Sequence, residues 1–302
     1  MAMPGARTLA YRLAVVTAGA TLVLILFGGL VTNTGAALAV PDWPTTFGHN
    51  MFLYPWSQMV GGIFFEHSHR LIGAVVGLLT LALAATLWRA GGVLRTCGII
   101  AVAAVIVQGV LGGLRVVLLK DTLALFHGCL AQAFFALIVA IALLASPAMT
   151  TASRVADPSL RALTGLAAAL VYLQIVFGAL LTHAGRIDLH LAGAVLVFAF
   201  VPIVTAKLRR SGDRIAAPFA RVVIVALGVQ LLLGVGSYLA RFSPIALPGG
   251  QLTMLVLPVA HRLVASVILG GIVALAVRVT ALPLADAWDP AGEMTGAPRP
   301  VA

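Results

Sequence analysis

Residues 62–87 read GIFFEHSHRLIGAVVGLLTLALAATL and contain the features on which the fold depends. The segment after Arg70 has no charged residue, and a helix that crosses a bilayer needs about 20 mostly apolar residues. A bilayer offers the backbone no water, so a spanning segment of this kind is predicted to be helical. The ionisable side chains of Glu66, His67, His69 and Arg70 all lie near its beginning. The segment therefore predicts a membrane helix with its ionisable groups gathered at one end.

The composition of the whole chain agrees with a membrane protein. Of its 302 residues, 61% are apolar and 9% are charged, and the mean hydropathy is +1.10. A soluble domain normally carries about a quarter charged residues. A soluble globule, a disordered chain and a nucleic-acid binder are therefore excluded together. Two cysteines are too few for a disulfide scaffold or a cysteine-rich metal cluster.

Eight stretches are apolar enough and long enough to span a bilayer. They lack the alternation of a membrane barrel, so we expect an all-α polytopic membrane protein. The first stretch follows Arg7 and begins at Arg12, and its length predicts a retained span rather than a signal peptide. The predicted spans are Arg12–Val31, Gly62–Leu87, Leu94–Leu119, Thr122–Leu144, Leu160–Thr182, Leu189–Ala206, Ala220–Leu239 and Met254–Val279.

The basic residues are unequally distributed between the two sides that eight spans create. The side that holds both termini collects thirteen of the 19 Lys and Arg residues. Cytoplasmic loops are enriched in these residues, so both termini are predicted to be cytoplasmic. The net charge of +10 is thus mainly a topology signal, with membrane lipid and no nucleic acid as partner. The six basic residues towards the opposite side are Arg70, Arg115, Lys120, Arg186, Arg241 and Arg262.

Two nine-residue segments indicate an internal repeat. Phe27–Gly35 reads FGGLVTNTG and Phe177–Gly185 reads FGALLTHAG, with five identical positions. Gln108–Gly112 and Gln230–Gly234 also correspond, although glycine- and leucine-rich helices can resemble one another by chance. Four helices per half give both halves the same orientation, so we predict two repeated four-helix bundles. The predicted units are residues 1–146 and 160–279, joined by a cytoplasmic linker at 147–159 and followed by a flexible cytoplasmic tail at 280–302.

Four of the seven histidines lie in the first turns of the even-numbered spans: His69, His127, His190 and His261. The predicted topology puts them on the non-cytoplasmic side, as one pair in each half. Ionisable residues inside a membrane are costly and usually functional, and imidazole commonly binds heme iron. Small residues follow on the same helix face, four positions on: Gly73, Ala131, Ala194 and Ala265. The pattern predicts bis-histidine tetrapyrrole sites, although small residues also favour close helix packing.

Glu66 is the one acid that lies well inside a predicted span. It shares a helix face with His69 and Arg70, so His69 is a better ligand candidate than His67. A carboxylate in such a place is costly unless it is paired or functional. Three interpretations stay open for it: a structural pair with Arg70, a proton-handling group, and a group beside bound substrate. We expect His67 to face lipid headgroups, to pack, or to make a second contact.

The first non-cytoplasmic connection, residues 32–60, is the longest of its kind and carries the motif PDWP at residues 41–44. It is expected either to cover a site or to lie as a lid at the membrane interface. His49 and His183 are expected to be loop or surface residues rather than ligands. Heme is favoured over zinc, because the histidines are far apart in sequence and no HExxH or CxxC cluster occurs.

Three motifs give the chain a resemblance to a known family. They are Gly29-Leu30-Val31-Thr32, Pro41-Asp42-Trp43-Pro44 and Glu66-His67-Ser68-His69-Arg70. Together with eight spans, they resemble the heme A synthase family of cytochrome oxidase assembly proteins over about residues 10–280. Many members of that family carry cysteine pairs in the outer loops, which this chain lacks. Cys97 and Cys129 are predicted at different depths, too far apart for a mutual disulfide.

The resemblance implies a reaction and a division of the site. Heme O would be oxidised at a ring methyl by successive hydroxylations, which produce the formyl group of heme A. The resemblance implies that His69 and His127 hold the substrate heme, with Glu66 beside the reacting methyl. It implies that His190 and His261 ligate a resident heme b that relays electrons. It also implies the cell inner membrane as location, and heme O synthase and cytochrome oxidase assembly factors as partners.

The residues alone leave two other functions open. A di-heme bis-histidine membrane cytochrome would transfer electrons between quinol and a partner without forming heme A. A transporter built from a parallel repeat would place its site near the middle of the membrane. The four histidines cluster towards one face instead, so the transporter agrees least with the sequence.

Overall fold

A computed structural model describes residues 4–150, 152 and 157–281. Within these residues the fold is all-helical, and eight helices are long and apolar enough to cross a membrane. Short 3-10 helices lie at Met51–Leu53, Trp56–Gln58 and Pro147–Met149. The eight long helices are α1 (Pro4–Asn33), α2 (Gly62–Trp88), α3 (Gly92–Leu118), α4 (Asp121–Ala145), α5 (Ser159–Ala184), α6 (Ile187–Arg210), α7 (Ala216–Phe242) and α8 (Gln251–Thr280).

Each predicted span corresponds to one of these helices, so the prediction of eight membrane helices is confirmed. The largest difference in boundary is at α1, which begins at Pro4 rather than at Arg12. A tertiary contact accounts for the extra turns. The guanidinium of Arg7 donates hydrogen bonds of 3.2 Å to three carbonyls at the carboxyl end of α4, a helix end that otherwise leaves carbonyls unpaired. These carbonyls belong to Leu144, Ala145 and Ser146.

The predicted linker and tail are described only in part. Inside the predicted linker, Pro147–Met149 forms a 3-10 helix, and α5 already begins at Ser159. Residues 151 and 153–156 lie outside the described residues. The same is true of residues 282–302, so nearly all of the predicted tail lies outside them.

Helices α4 and α8 lie at the centre of the bundle. Their most apolar windows are 61% and 56% buried, against 11–28% for the other six helices. Gly270 of α8 permits the close approach of the two helices. A Cβ atom there would lie only 2.9 Å from Phe135 Cε1 and 3.3 Å from Val139 Cγ2 of α4. The two helices that carry His127 and His261 therefore lie side by side.

The other six helices surround this central pair in two groups with matching neighbours. Helices α1 and α3 each pack against α2 and α4, and helices α5 and α7 each pack against α6 and α8. Between the groups, α1 contacts α8, and α5 contacts α4. The two largest clusters of buried apolar side chains centre on one group each. Each even-numbered helix thus packs against the odd-numbered helix that precedes it in the chain.

Polar contacts tie the helices together at the end where both the linker and Arg7 lie. Arg161 of α5 donates from Nε to the carbonyl of Val279 at the end of α8, at 3.3 Å. Arg278 and Asp213 form an ion pair of 2.6 Å, and their side chains are only 3% and 14% exposed. Removing one partner of a pair this buried is strongly destabilising, because the other charge is left unpaired. The four predicted ligand histidines all lie at the opposite end, which we call the histidine end.

Candidate functional site

The structure brings the four helix histidines together in the two predicted pairs. His69 of α2 and His127 of α4 have ring centroids 6.2 Å apart and ring planes inclined by 70°. His190 of α6 and His261 of α8 have centroids 6.1 Å apart and planes inclined by 69°. Each pair joins residues more than 50 positions apart in the sequence, and the two pairs have nearly the same geometry.

The spacing of each pair fits one iron atom bound between two imidazoles. A metal–imidazole bond of about 2 Å and a ring radius of about 1.1 Å put opposed centroids about 6 Å apart. Within the described residues, no group of three or more His, Cys, Asp and Glu side chains could hold a metal ion. A tetrapyrrole supplies most of the iron ligands itself and needs only two from the protein. Each pair could therefore supply the two protein ligands of a heme iron.

Each of the four imidazoles rests against a glycine of the preceding odd-numbered helix. A Cβ atom at any of these glycines would lie only 3.0–3.3 Å from the Cε1 atom of the facing histidine. The missing side chain therefore leaves room for the Cε1–Nδ1 edge of the ring against the neighbouring helix. The facing pairs are Gly28 with His69, Gly112 with His127, Gly178 with His190, and Gly234 with His261.

Glutamines stand one turn before three of these glycines and contact the imidazoles. The Nδ1 atom of His127 lies 3.2 Å from the carbonyl of Gln108. The side-chain amide of Gln174 lies 3.2 Å from His190 Nδ1, and that of Gln230 lies 3.1 Å from His261 Nε2. His127 can donate from Nδ1 to a carbonyl, which is the contact that orients a histidine ring for metal binding. The glutamine amide groups instead donate to the acceptor nitrogen of His190 and of His261. Leu24 takes the corresponding place in α1. The Nδ1 atoms of His69 and His261 are both buried without a hydrogen-bond partner among the described residues.

Glu66 forms an ion pair that holds the first loop against α2. Its Oε1 atom lies 2.8 Å from Arg70 Nη2, and the side chains are 7% and 9% exposed. Its Oε2 atom accepts a hydrogen bond of 3.1 Å from the backbone N–H of Val40. Arg70 donates further to the loop carbonyls of Val40, Asp42 and Thr45. The structural pair, one of the three interpretations of Glu66, is therefore present, and it links the loop to the helix that carries His69.

His67 fixes the same loop from the other face of α2. Its ring is buried, its Nδ1 atom lies 3.1 Å from the hydroxyl of Thr46, and its centroid is 5.2 Å from that of Tyr54. Of the expectations for His67, packing and a second contact are therefore correct, whereas a position among lipid headgroups is wrong. The pattern of polar neighbours in the sequence could not show this, because Thr46 approaches only through the fold of the loop.

Asp42 closes a turn within the loop. Its carboxylate accepts hydrogen bonds from the hydroxyl of Thr45 and from the backbone N–H groups of Phe47 and Gly48. Burial raises the pKa of Asp42, but these hydrogen bonds outweigh the burial and hold the pKa below its ordinary value. The turn therefore keeps its charged cap at neutral pH.

Trp43 connects the loop to α3, in addition to the contacts that the loop makes with α2. Its indole packs on Gly113, where any Cβ atom would clash with the ring. The adjacent Gly112 is the glycine that faces His127, so the loop is held both at α2 and at the part of α3 that supports the first histidine pair. The connection between α5 and α6 consists of Gly185 and Arg186 alone, so the second pair has no equivalent loop.

The two remaining histidines differ in their surroundings. His49 is exposed in the loop, with its ring 5.9 Å from that of Tyr54, as expected. His183 lies in the last turn of α5 rather than in a loop, and it is half-buried. Its charged neighbours are Arg262, Asp121 and Arg115, so it belongs to the polar region at the histidine end.

Sequence reasoning missed the glycines and glutamines that support the imidazoles. The signal was present, because Gln-x-x-x-Gly occurs in α3, α5 and α7. In α3 and α7 this pattern indicates a duplication, whereas the small residues four positions after each histidine predict the room for a macrocycle. Gly73 does leave such room, since a Cβ there would meet only Leu24 Cδ1, at 3.9 Å. The glycines on the preceding helices became recognisable only when the helices were packed.

Comparison with known families identifies the first part of the chain. Residues 11–188 match the family described as cytochrome oxidase assembly protein. The matched range contains Glu66, His69 and His127, and it ends just before His190. The family match thus covers the first histidine pair and the loop. The interpretation of His190 and His261 as a heme-binding pair rests on their geometry.

Curated relatives named heme A synthase are similar to part of the chain. The protein of Shouchella clausii is 34% identical over 134 residues, which are 42% of this chain and 43% of the relative. The protein of Alkalihalophilus pseudofirmus is 33% identical over 131 residues, 41% of this chain and 43% of the relative. That of Bacillus pumilus is 30% identical over 152 residues, 48% of each. The matched region therefore spans less than half the length of these relatives.

Proposed function

Because the chain belongs to the heme A synthase family of cytochrome oxidase assembly proteins, we propose that it is an oxidoreductase that converts heme O to heme A. In this reaction a ring methyl of heme O loses four electrons to an external oxidant in two successive hydroxylations, and the resulting geminal diol loses water to leave the formyl group. The observation that carries the proposal is the histidine pair His69 and His127, spaced for one heme iron and one helical turn from the carboxylate of Glu66.

The first pair is the proposed substrate site. His69 and His127 bind heme O through its iron, with Gly28 and Gly112 as seats for their rings. Trp43 of the first loop packs on Gly113, the residue after the glycine that faces His127. A loop that excludes water from the reacting centre suits an oxidation whose product is a reactive formyl group.

Glu66 is the proposed catalytic residue, beside the reacting methyl. Its contacts with Arg70 and Val40 use one lone pair on each carboxylate oxygen, and a carboxylate has further lone pairs available. The group can therefore accept a proton or orient the substrate while the ion pair holds it in place. The ion pair and the catalytic role are compatible, because the pair supplies the fixed orientation that catalysis needs.

The second pair is the proposed site of a resident heme b. His190 and His261 would hold its iron, and the amides of Gln174 and Gln230 would adjust to the bound group. A heme b there would supply one-electron transfer. The closeness of α4 and α8, which carry one ligand of each pair, supports a path between the two sites through the centre of the bundle.

Gly234→Ala is expected to weaken heme binding at the second site. The new Cβ atom would lie 3.0 Å from Cε1 of His261 and push the ring from its seat. A disturbed support of this kind typically lowers metal affinity about tenfold or more, measured as heme b retained per protein during purification. The matched control is Gly228→Ala in the same helix, where a Cβ would meet no atom within 4 Å. An equal loss in the two variants would contradict the role of Gly234.

We infer that the two four-helix groups arose by duplication, as two repeated four-helix bundles of residues 1–146 and 160–279. Matching helix neighbours and nearly equal histidine geometry support this inference. The proposed location is the cell inner membrane, with both termini cytoplasmic and the histidine end outside, supported by the distribution of Lys and Arg. Heme O synthase and cytochrome oxidase assembly factors are the proposed partners.

The near identity of the two pairs favours a second candidate function. Centroid separations of 6.2 and 6.1 Å suit two permanent hemes equally well. The alternative is a di-heme membrane cytochrome that transfers electrons between quinol and a partner. The long loop and Glu66 accompany the first pair and not the second. A cytochrome with two equivalent hemes does not need this difference, so we place that function second.

Extraction of the bound hemes tests the two functions against each other. The full chain is produced together with a source of heme O, purified, and its hemes are extracted and separated by chromatography. Heme A synthase activity predicts heme A together with heme b. Two heme b groups per chain, fast reduction by quinol and no heme A would overturn the proposal in favour of the cytochrome.

A further inference from the structure

Two arginines beside the second histidine pair have no acidic partner in the described chain. Arg262 follows His261 in α8, and Arg241 lies in the last turn of α7. We propose that their guanidinium groups form a carboxylate-binding subsite for the propionates of the heme that His190 and His261 hold. This inference rests on the function proposed above for that pair.

Both arginines converge on one turn of α1. The guanidinium of Arg262 lies against Gly29, with Nη1 3.7 Å from the place where a Cβ atom would be. Arg241 Nη2 donates to Oδ1 of Asn33, and Asn33 Nδ2 donates to the carbonyl of Gly29 at 2.8 Å. The subsite is therefore built from three helices, and Asn33 holds Arg241 in a defined position. Gly28 faces His69 of the first site, so this turn of α1 lies between the two sites.

Among the described residues, the charged groups around Arg262 are cationic or titratable to cations, and none of them is an anion that pairs with it. Its side chain is half-buried and takes part in none of the hydrogen bonds or ion pairs of the described residues. It is repelled by Arg241, and its other electrostatic neighbours are the imidazoles of His183 and His261. Like charges close together away from bulk water raise the free energy. An anion between the two guanidinium groups would offset this repulsion.

No acid of the described residues forms an ion pair with Arg241 or Arg262, so an anion held by both would come from a bound molecule or from the part of the chain that is not described. Glu66, Asp188 and Asp213 form ion pairs with other arginines. Asp42 and Asp157 cap turns. Asp121 interacts with His183.

Heme has the chemistry that this subsite would recognise. It is an apolar ring with two carboxylates along one edge, and guanidinium groups bind carboxylates through two parallel hydrogen bonds. Arg262 is next in sequence to the ligand His261, so its reach suits the edge of a heme bound at that ring. Iron ligands and a propionate clamp together would hold the group at its centre and its edge, as suits a cofactor that stays in place.

The first site does not repeat this arrangement. Gly128 follows His127, in the place that corresponds to Arg262. Arg70, which follows His69, is occupied by a carboxylate and three loop carbonyls. Only Arg115 of α3 lies near His127 without a hydrogen bond of its side chain to the described residues. Within the described chain, the first site thus has one guanidinium without an acidic or carbonyl partner, and the second has two without an acidic partner, which suits a substrate that exchanges and a cofactor that does not.

The test measures how fast purified holoprotein loses heme b to an excess of apomyoglobin. For Arg262→Gln we expect heme b to be lost about tenfold faster, which is the effect expected from removing one charge-assisted hydrogen bond. We also expect a more negative midpoint potential, because removing a cation favours the oxidised iron. Arg262→Lys keeps the charge and is expected to lie between the wild type and the Gln variant. Arg241→Gln is expected to act in the same direction as Arg262→Gln.

Arg186→Gln is the matched control, since Arg186 is an exposed arginine at the same end, ion-paired with Asp188. An unchanged rate and potential in both Arg262→Gln and Arg241→Gln would overturn the subsite. If Arg262→Gln does not fold, Arg262→Lys and Arg241→Gln decide the question by the same two readouts. Wild-type protein without heme b, or heme b retained in His261→Ala, would instead overturn the proposed function of the second pair.

Discussion

Glu66→Gln is expected to abolish heme A formation and to leave heme b bound. Glutamine has nearly the same shape, and its amide oxygen can still accept the hydrogen bond from Val40 or from Arg70. It cannot carry the negative charge or accept a proton, and loss of a positioned acid–base group typically lowers a rate about 100-fold or more. The measurement is the ratio of heme A to heme O extracted after co-expression with a heme O source.

A second variant separates the effect of the carboxylate on heme A formation from the effect of the loop that it holds. His67→Gln weakens the loop contact to Thr46 and leaves Glu66 and Arg70 in place. We expect this variant to retain most of its heme A formation. Normal heme A formation by Glu66→Gln would contradict the catalytic role and leave the structural pair as the function of Glu66. Equal loss in Glu66→Gln and His67→Gln would assign the effect to the loop.

His261→Ala is expected to lose nearly all heme b, whereas His127→Ala keeps it and loses bound heme O and heme A. Each variant removes one of the two protein ligands of one pair, and the pairs share no ligand. Even disturbed support of a ligand lowers metal affinity about 10–100-fold, so removal of the ligand itself is expected to exceed this range. The reduced-minus-oxidised spectrum and the extracted hemes measure the two effects separately.

His49→Ala serves as the control for the histidine variants, because His49 is exposed in the first loop and outside both pairs. It should keep both hemes. If His127→Ala lost heme b and His261→Ala kept it, the assignment of substrate and cofactor to the two halves would be reversed. If both variants lost both hemes, the two sites would depend on each other for folding.

Much of the architecture was predictable because membrane helices follow from local composition. An apolar segment of sufficient length has to satisfy its backbone internally, so the eight spans were read directly. The depth of the four histidines followed from their position within those spans, and so did their grouping by halves. The start of α1 was not predictable, since Arg7 extends the helix by binding carbonyls of α4 more than 130 residues away.

In the candidate site, too, some features were predictable from the sequence and others depended on the tertiary structure. Spacing along α2 put Glu66, His69 and Arg70 on one face, but three interpretations of Glu66 were equally consistent with that spacing. The ion pair with Arg70 and the hydrogen bond from Val40 appeared only with the folded loop. The position of His67 against Thr46 likewise depended on a contact across the loop.

The sequence by itself determined the class of the protein, its spans, the four histidines and the family motifs, because these depend on composition and on neighbours within a few turns. Tertiary structure decided which imidazoles meet, which glycines seat them, and where Trp43, Arg241 and Arg262 lie. These contacts join separate helices, and their existence depends on how closely the backbones approach. That approach is a property of the whole packing, since one Cβ atom at Gly113 or Gly234 would alter it.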